Sequence, residues 1–338
     1  MELREQVAIS DLTTMRLGGA ARFVAEVHTS EDVAEAYRFA CEQNLPLAVL
    51  GGGSNVVGRD EGFNGVVALN KLSGLQIVDE TDDTIVIEAA SGELLDGLAA
   101  FAARRGYTGL EATSAIPGTV GGAVMQNAGA YGQELSDVLT AVKAYDTQSG
   151  EFVVFKRDEL ELSYRHSIFN SSAKARYFIT AATVALRRGE IEGELYGSLQ
   201  AYLDAQGISD RRPMTIRAAV SAIRANKLPD PAEIASSGSF FKNITVREDQ
   251  IEEYRERFPG IPIFLIGACW EIASGWLIEQ AGLKGALLHG MRVSDKAALI
   301  LINESALSYA DLACARKEIT QAVQEKFGLT LEQEPEEL

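Results

Sequence analysis

Leu47-Ala48-Val49-Leu50-Gly51-Gly52-Gly53-Ser54-Asn55-Val56-Val57 is a short apolar strand that runs straight into three consecutive glycines. Successive glycines let neighbouring backbone N–H groups converge on one spot as an anion nest. Ser54 and Asn55 add side-chain partners beside it. The obvious comparison is the dinucleotide loop of a doubly wound parallel sheet. The spacing is not G-x-G-x-x-G, however, and Gly58-Arg59-Asp60 interrupts the chain where the following helix would start. The junction argues against that fold and leaves phosphate binding by another fold open, with a flexible turn as the plain alternative.

Upstream, 22–27 reads as a strand, and Thr29-Ser30-Glu31-Asp32 reads as a capping box opening a helix with Val33, Tyr37, Ala40 and Cys41 on one face. Downstream, 66–69 and 84–89 read as strands. The segment 91–106 reads as a helix with Leu94, Leu95, Leu98, Phe101 and Ala102 as its stripe and Gly106 as its cap. From 109 to 132, glycine recurs at 118, 121, 122, 129 and 132 among small residues. Such a stretch lets backbone lie against a flat, bulky ligand, and close packing of elements explains two or three of these glycines rather than all five.

Further strands are expected at 138–145, 151–155 and 178–186. Between them, Tyr164-Arg165 places a guanidinium suited to a carboxylate beside an aromatic ring, against the plainer reading of a surface arginine stacked on tyrosine. After Tyr196-Gly197-Ser198-Leu199, a polar helix and the turn around Asp210-Arg211-Arg212-Pro213 read as an interdomain link, and 215–225 as an amphipathic helix stopped by Lys227-Leu228-Pro229-Asp230-Pro231. Ala235-Ser236-Ser237-Gly238-Ser239-Phe240-Phe241-Lys242-Asn243 then reads as a loop that presents the Ser239 hydroxyl, anchored by its two phenylalanines. Helices at 247–258 and 274–281, strands within 288–302 and a long helix at 308–327 ended by Gly328 complete the pattern.

The chain has 338 residues, which suggests two or three domains. Its net charge of -17 argues against general nucleic-acid binding, which needs a surface of lysine and arginine. Cys41, Cys269 and Cys314 form no CxxC pair and read as buried thiols of a reducing cytoplasm, and no metal site is expected. The charged opening carries no secretion signal, and no apolar run reaches the length of a membrane span. The longest run, 261–270, reads as core, and 332–338 as a short acidic tail.

Taken in order, Gly51–Asn55, Ile116-Pro117-Gly118-Thr119-Val120-Gly121-Gly122, Asn127-Ala128-Gly129-Ala130-Tyr131-Gly132, Tyr164-Arg165, Lys227–Pro231 and Gly238–Asn243 resemble the UDP-N-acetylenolpyruvoylglucosamine reductase (MurB) family, from about Thr13 to Glu334. The resemblance implies an α+β chain. It comprises an FAD-binding fold of the vanillyl-alcohol-oxidase (PCMH) type in two lobes, 1–72 and 73–213, a C-terminal α/β substrate-binding domain at 214–325, and a tail, 326–338, returning to the active site. It implies non-covalent FAD along 51–55 and 116–131, with NADPH as co-substrate. It implies reduction of an enolpyruvyl ether of a UDP-sugar to UDP-N-acetylmuramate for peptidoglycan synthesis.

By the same resemblance Ser239 is the proton donor, and Arg165 and Glu334 stabilise the enolate. Tyr164, Arg165, Tyr196, Lys227, Ser239 and Asn243 bind substrate, Tyr196 being the clamp of one subtype. A cytoplasmic monomer free of nucleic acid and membrane is expected. A flavin oxidase of the same fold is one alternative, although none of the three histidines lies in the glycine loops to carry a covalent flavin. A non-catalytic UDP-sugar-binding paralogue is the other, and it would need no proton donor. Two positions depart from the family pattern. Ile244 replaces a proline, which is expected to loosen the serine loop, and Pro335-Glu336-Glu337-Leu338 replaces the usual arginine-bearing strand after the last glutamate.

Overall fold

The computed structural model describes residues 1–266 and 269–338. The chain forms two compact units, one of residues 1–6, 21–52 and 64–226, the other of residues 7–20, 53–63 and 227–338.

In the first unit the strands Glu2–Ala8, Ala20–Val27, Phe63–Asn70 and Leu47–Leu50 form one sheet in that order. The helix Ser30–Glu42 begins where the capping box places it. The Thr29 hydroxyl accepts from the Asp32 amide at 3.1 Å and the Asp32 carboxylate accepts from the Thr29 amide at 3.0 Å. Val33, Ala36 and Ala40 bury against Ala25, Val27, Val66 and Ala68. This crossover helix lets Leu47–Leu50 run parallel to the neighbouring strand, Leu47 opposite Val66 and Leu50 opposite Leu69. Cys41 lies on the outer side of the helix and is exposed, as is Cys314, while Cys269 is half-buried. The expectation of buried thiols is thereby corrected.

A second, antiparallel sheet takes the order Glu151–Lys156, Leu139–Asp146, Tyr177–Arg188, Thr84–Ala90, Leu75–Glu80. The helix expected from residue 91 is Leu95–Arg104. Its start moves because Ser91 is committed to tertiary partners. The Ser91 amide donates to Thr180 at 2.9 Å, its carbonyl accepts from Gly121 at 2.8 Å and its hydroxyl accepts from Asn70 at 2.7 Å. Leu94, expected in the apolar stripe, is instead exposed.

The helix expected in the link after Tyr196 is present, and it belongs to a helical pair. Gly197–Gln206 and Pro213–Lys227 bury Leu199, Leu203, Ile216, Val220 and Ile223 together. That shared core moves the boundary expected at 213/214 to 226/227.

The second unit holds an antiparallel sheet of Ser236–Ser239, Ile300–Asn303, Met291–Val293 and Leu287–Leu288, and another of Ile244–Val246, Cys269–Ile272 and Ile263–Ile266. The helices Ile251–Arg257, Ser274–Gln280 and Tyr309–Phe327 accompany them. Phe240, Ile272, Leu277, Met291, Leu312 and Ile319 lie in its core. The long helix opens on a Ser308–Asp311 capping box and ends on left-handed Gly328, as the sequence indicates. Its first amides, from Tyr309 and Ala310, also donate to the Asp60 carboxylate at 2.6 and 2.9 Å.

The run 261–270 is not core throughout. Ile261 and Ile263 are buried, Phe264 and Leu265 are exposed, and residues 267 and 268 lie outside those described.

Candidate active site

Two of the stretches singled out in the sequence meet in the first unit. A Cβ on Gly51 would come within 2.4 Å of the Thr119 hydroxyl oxygen, and one on Gly52 within 3.2 Å of the Gly118 Cα. The strand end at 51–52 therefore lies directly against 118–119. Thr119 then caps a short helix, Val120–Met125, that the sequence reading did not anticipate.

The fold itself accounts for four of the five recurring glycines. Gly118 and Gly132 have φ of +111° and +83°, while side chains on Gly121 and Gly129 would collide with Ser91 and Gln133. Gly122, whose Cβ would make only an ordinary contact with Thr119, is the one the fold does not explain. Asn127, expected at the cofactor, is buried and spends both N–H donors internally. It donates to Glu134 at 2.8 Å and Ser163 at 3.1 Å, and its oxygen accepts from the Ser136 amide at 2.9 Å. This is the bonding of a structural clamp. Ile116 is half-buried beside the core, and Gly129–Ala130 pairs with Gln133–Glu134.

Tyr164 and Arg165 form the tip of a tight turn closed by two backbone bonds between Ser163 and His166, at 3.2 and 3.0 Å. Arg165 sits at φ +52°, a conformation that costs a non-glycine residue energy and that recurs at functional sites. Its guanidinium stands 5.1 Å from the Tyr164 ring centre and donates to the Gly129 carbonyl at 3.3 Å. Tyr131, at φ +49°, meets Tyr196 edge to face at 5.9 Å. Burial pushes the Tyr131 phenol up.

One residue here escaped the sequence reading. Arg224 of the helix Pro213–Lys227 donates to the Ala115 carbonyl at 3.2 Å. Burial lowers its guanidinium, and the neighbouring Arg165 charge lowers it further. Two neighbouring cations, one of them beside the half-buried Tyr131, suit an anionic ligand. The signal was available: Arg217 and Arg224 are two turns apart on one helix face, and Arg217 pairs with Asp96 at 2.6 Å and 2.8 Å.

In the second unit, Gly53 lies in the left-handed region at φ +64°, and a Cβ there would stand 2.0 Å from the Leu12 carbonyl oxygen. The Gly53 carbonyl accepts from Thr14 at 3.1 Å, and the Thr14 carbonyl accepts from Ser236 at 3.0 Å. Around this path the hydroxyls of Thr13, Thr14 and Ser237 are buried without a hydrogen-bond partner among the described residues. Buried hydroxyls are nearly always bonded, so these three are suited to bond water or a ligand.

The serine stretch is a strand, Ser236–Ser239, rather than a loop, because it pairs with Ile300–Asn303. The register slips between Ser236 and Ser239, where Gly238 takes φ +73° with no protein atom within 4 Å of a Cβ position. A bulge of this kind re-aims a side chain. Phe240 and Phe241 lock the strand from behind, both buried and packed edge to face at 5.1 Å.

The Glu334 amide donates to the Phe240 carbonyl at 2.9 Å, so Glu334 is held beside the residue that follows Ser239. Asn55 reaches the Glu334 carbonyl at 3.5 Å. Asn243 donates to buried Glu271 at 3.0 Å and accepts from Ser274 at 3.3 Å. Lys242 lies 4.0 Å from Glu332, and Lys227 is exposed at its helix end. Ile244 does not loosen this region; it opens an edge strand paired with Ile272.

The missing family strand is present in another guise. Glu336–Glu337 pairs parallel to Val56–Val57. The Glu337 carboxylate accepts from Tyr309 at 2.6 Å, Arg316 at 2.8 Å and Arg59 Nε at 3.0 Å. Burial raises this carboxyl group, but those three donors outweigh it and hold the pKa at about 2.

Within the first unit, glycines packed backbone to backbone and the neighbouring Arg165 and Arg224 cations fit a large anionic cofactor such as FAD. The comparisons agree. The model of an FAD binding domain matches residues 21–156, and that of the UDP-N-acetylenolpyruvoylglucosamine reductase C-terminal domain matches residues 230–338. The protein is thus an FAD-binding flavoprotein of the expected vanillyl-alcohol-oxidase type of fold.

The chain is 39% identical over 331 residues to UDP-N-acetylenolpyruvoylglucosamine reductase of Ralstonia nicotianae, covering 95% of each, and 36% identical over 337 residues to that of Pseudomonas aeruginosa, covering 99% and 98%. The crystal structure of the enzyme from Thermus caldophilus superposes with a TM-score of 0.67 at 26% identity, covering 99% of both chains. The chain belongs to the UDP-N-acetylenolpyruvoylglucosamine reductase (MurB) family.

Proposed function

We propose that this chain reduces the enolpyruvyl ether of UDP-N-acetylglucosamine enolpyruvate to UDP-N-acetylmuramate at the expense of NADPH, in peptidoglycan precursor synthesis. The observation that carries the reading is the Glu334 amide bound to the Phe240 carbonyl, which gathers two family-matched polar groups, Ser239 and Glu334, at one strand end. FAD, when bound, supplies the carrier that takes a hydride from NADPH and delivers it to the substrate's vinyl carbon.

The protein's own share is electrostatic and protonic. Hydride addition leaves negative charge on the neighbouring carbon and its carboxylate. Arg165, with a planar charged fork, binds that carboxylate, and Glu334 takes the second enolate-stabilising place beside it. The Ser239 hydroxyl gives its proton to the carbanion carbon. A serine is a weak acid, so the transfer depends on a strongly basic acceptor and a fixed donor. Tyr164, Tyr196, Lys227 and Asn243 hold the sugar nucleotide, Asn243 through whatever capacity its bonds to Glu271 and Ser274 leave. Gly51, Gly52, Gly53, Ser54, Asn55, Pro117 and Gly122 line the cofactor.

Among the described residues no helix is long and apolar enough to cross a membrane, and no His, Cys, Asp and Glu side chains are grouped to hold a metal ion. We assign the protein to the cytoplasm as a monomer, which sedimentation at the mass of one chain would support.

The test is NADPH consumption under anaerobic conditions. It should require the enolpyruvyl UDP-sugar and yield one lactyl ether per NADPH. Consumption that needs oxygen and ignores the sugar would make the protein an oxidase instead.

A further inference from the structure

We propose that Glu337 is a positioning residue for the substrate step, its carboxylate clamped by Arg59, Arg316 and Tyr309 so that the strand it ends holds Glu334 beside Ser239. The proposal rests on the functional reading above.

Both Glu337 oxygens are engaged. One accepts from Tyr309 at 2.6 Å and Arg316 at 2.8 Å, the other from Arg59 Nε at 3.0 Å. The same Arg316 nitrogen donates to Gln333 at 2.5 Å, and Gln333 in turn donates to the Pro335 carbonyl at 2.7 Å. The clamp thus grips the chain on both sides of Glu334. Its other ends are fixed. Tyr309 and Arg316 belong to the long helix whose Leu312, Ile319 and Val323 are buried, and Arg59 belongs to the segment whose Asp60 caps that helix.

Between clamp and catalytic segment runs a ladder. Glu336 donates to Asn55 at 3.0 Å, Leu338 to Val57 at 2.9 Å, and Arg59 to Leu338 at 2.7 Å, while Glu334 donates to Phe240 at 2.9 Å. A two-residue strand pair contributes little by itself. A charged side chain bound by two guanidiniums and a phenol gives the segment an anchor that its length cannot.

Glu337 touches no reacting group in this scheme, so its loss should act on geometry alone. Misplacement of a catalytic group by about 1 Å can cost on the order of a hundredfold in rate.

The experiment compares Glu337→Ala, Glu337→Asp and Tyr309→Phe with the unsubstituted holoprotein. Flavin absorbance follows reduction by NADPH and reoxidation by the enolpyruvyl UDP-sugar as separate steps, and amide hydrogen exchange follows Glu334 and Glu336. Tyr309→Phe removes one donor and keeps the fold if the alanine variant does not.

We expect reoxidation to slow about ten- to a hundredfold in Glu337→Ala, less in Tyr309→Phe, with partial recovery in Glu337→Asp. The Glu334 amide should exchange faster, and reduction by NADPH should stay within about twofold on the same geometric argument. Equal slowing of both steps, loss of bound FAD, or unchanged reoxidation would overturn the role of Glu337 alone. An unsubstituted protein that NADPH reduces and the sugar does not reoxidise would overturn the functional reading, and the role of Glu337 with it.

Discussion

Ser239→Ala should accept electrons from NADPH at the unsubstituted rate and lose about 10²- to 10⁴-fold in the substrate-driven step, the range typical of a missing general acid. The separation follows from where Ser239 acts. Its proton is needed only after hydride has reached the substrate, so the NADPH step does not use it.

The fold should tolerate the change. Ser239 closes the strand Ser236–Ser239, held by pairing with Ile300 and by buried Phe240 and Phe241, and none of these contacts uses the hydroxyl. Removal of one half-buried hydroxyl should move stability by no more than about 1 kcal/mol. Stopped-flow absorbance of the two steps, with a thermal melt as control, checks this. Slowing of both steps to the same extent would show that Ser239 seats the flavin rather than protonates the substrate.

Gly53→Ala should be among the most damaging single-methyl changes at the described residues. Two costs coincide there. The residue sits at φ +64°, and the added Cβ would stand 2.0 Å from the Leu12 carbonyl oxygen and 3.0 Å from the Thr13 Cα. Backbone strain and overpacking of this kind cost about 1–3 kcal/mol each. The neighbouring Thr13 and Thr14 hydroxyls, buried without a partner among the described residues, would be displaced with the loop. Bound flavin should therefore fall together with the denaturation midpoint.

Gly260 supplies the control. It also has positive φ, +85°, with nothing within 4 Å of a Cβ, so alanine there should cost only about 1 kcal/mol and leave flavin content unchanged. Measured flavin per protein and urea midpoints for the two variants decide between a tight cradle at Gly53 and a merely permissive turn.

Local chemistry made part of this fold legible. The Thr29–Asp32 capping box, the existence of the strand Leu47–Leu50 and the Gly328 cap needed only neighbours in sequence. The misreadings occur where distant partners decide. Ser91 looked like a helix start and is instead claimed by Asn70, Thr180 and Gly121. The serine stretch has no alternating pattern and becomes a strand because Ile300–Asn303 lies ready to pair with it.

The glycines at 118–132 carried a mixed message. Most serve close packing or positive φ, so glycine content there is not by itself a sign of contact with a ligand. Asn127 likewise proved a clamp on Glu134, Ser163 and Ser136. Arg224 went unnoticed because its neighbours in sequence are ordinary and only the helix face it shares with Arg217 distinguishes it. The seating of Glu334 was invisible for a similar reason: Glu336–Glu337 has no strand signature, and its anchors, Arg59 and Arg316, come from elsewhere in the chain.

The most direct test of the central claim is the visible absorption spectrum of the purified protein, taken before and after anaerobic NADPH and again after the enolpyruvyl UDP-sugar. The account predicts a flavin band that NADPH bleaches and the sugar restores. A colourless protein that takes up no added FAD, or a bleached band that the sugar leaves unchanged, would contradict it.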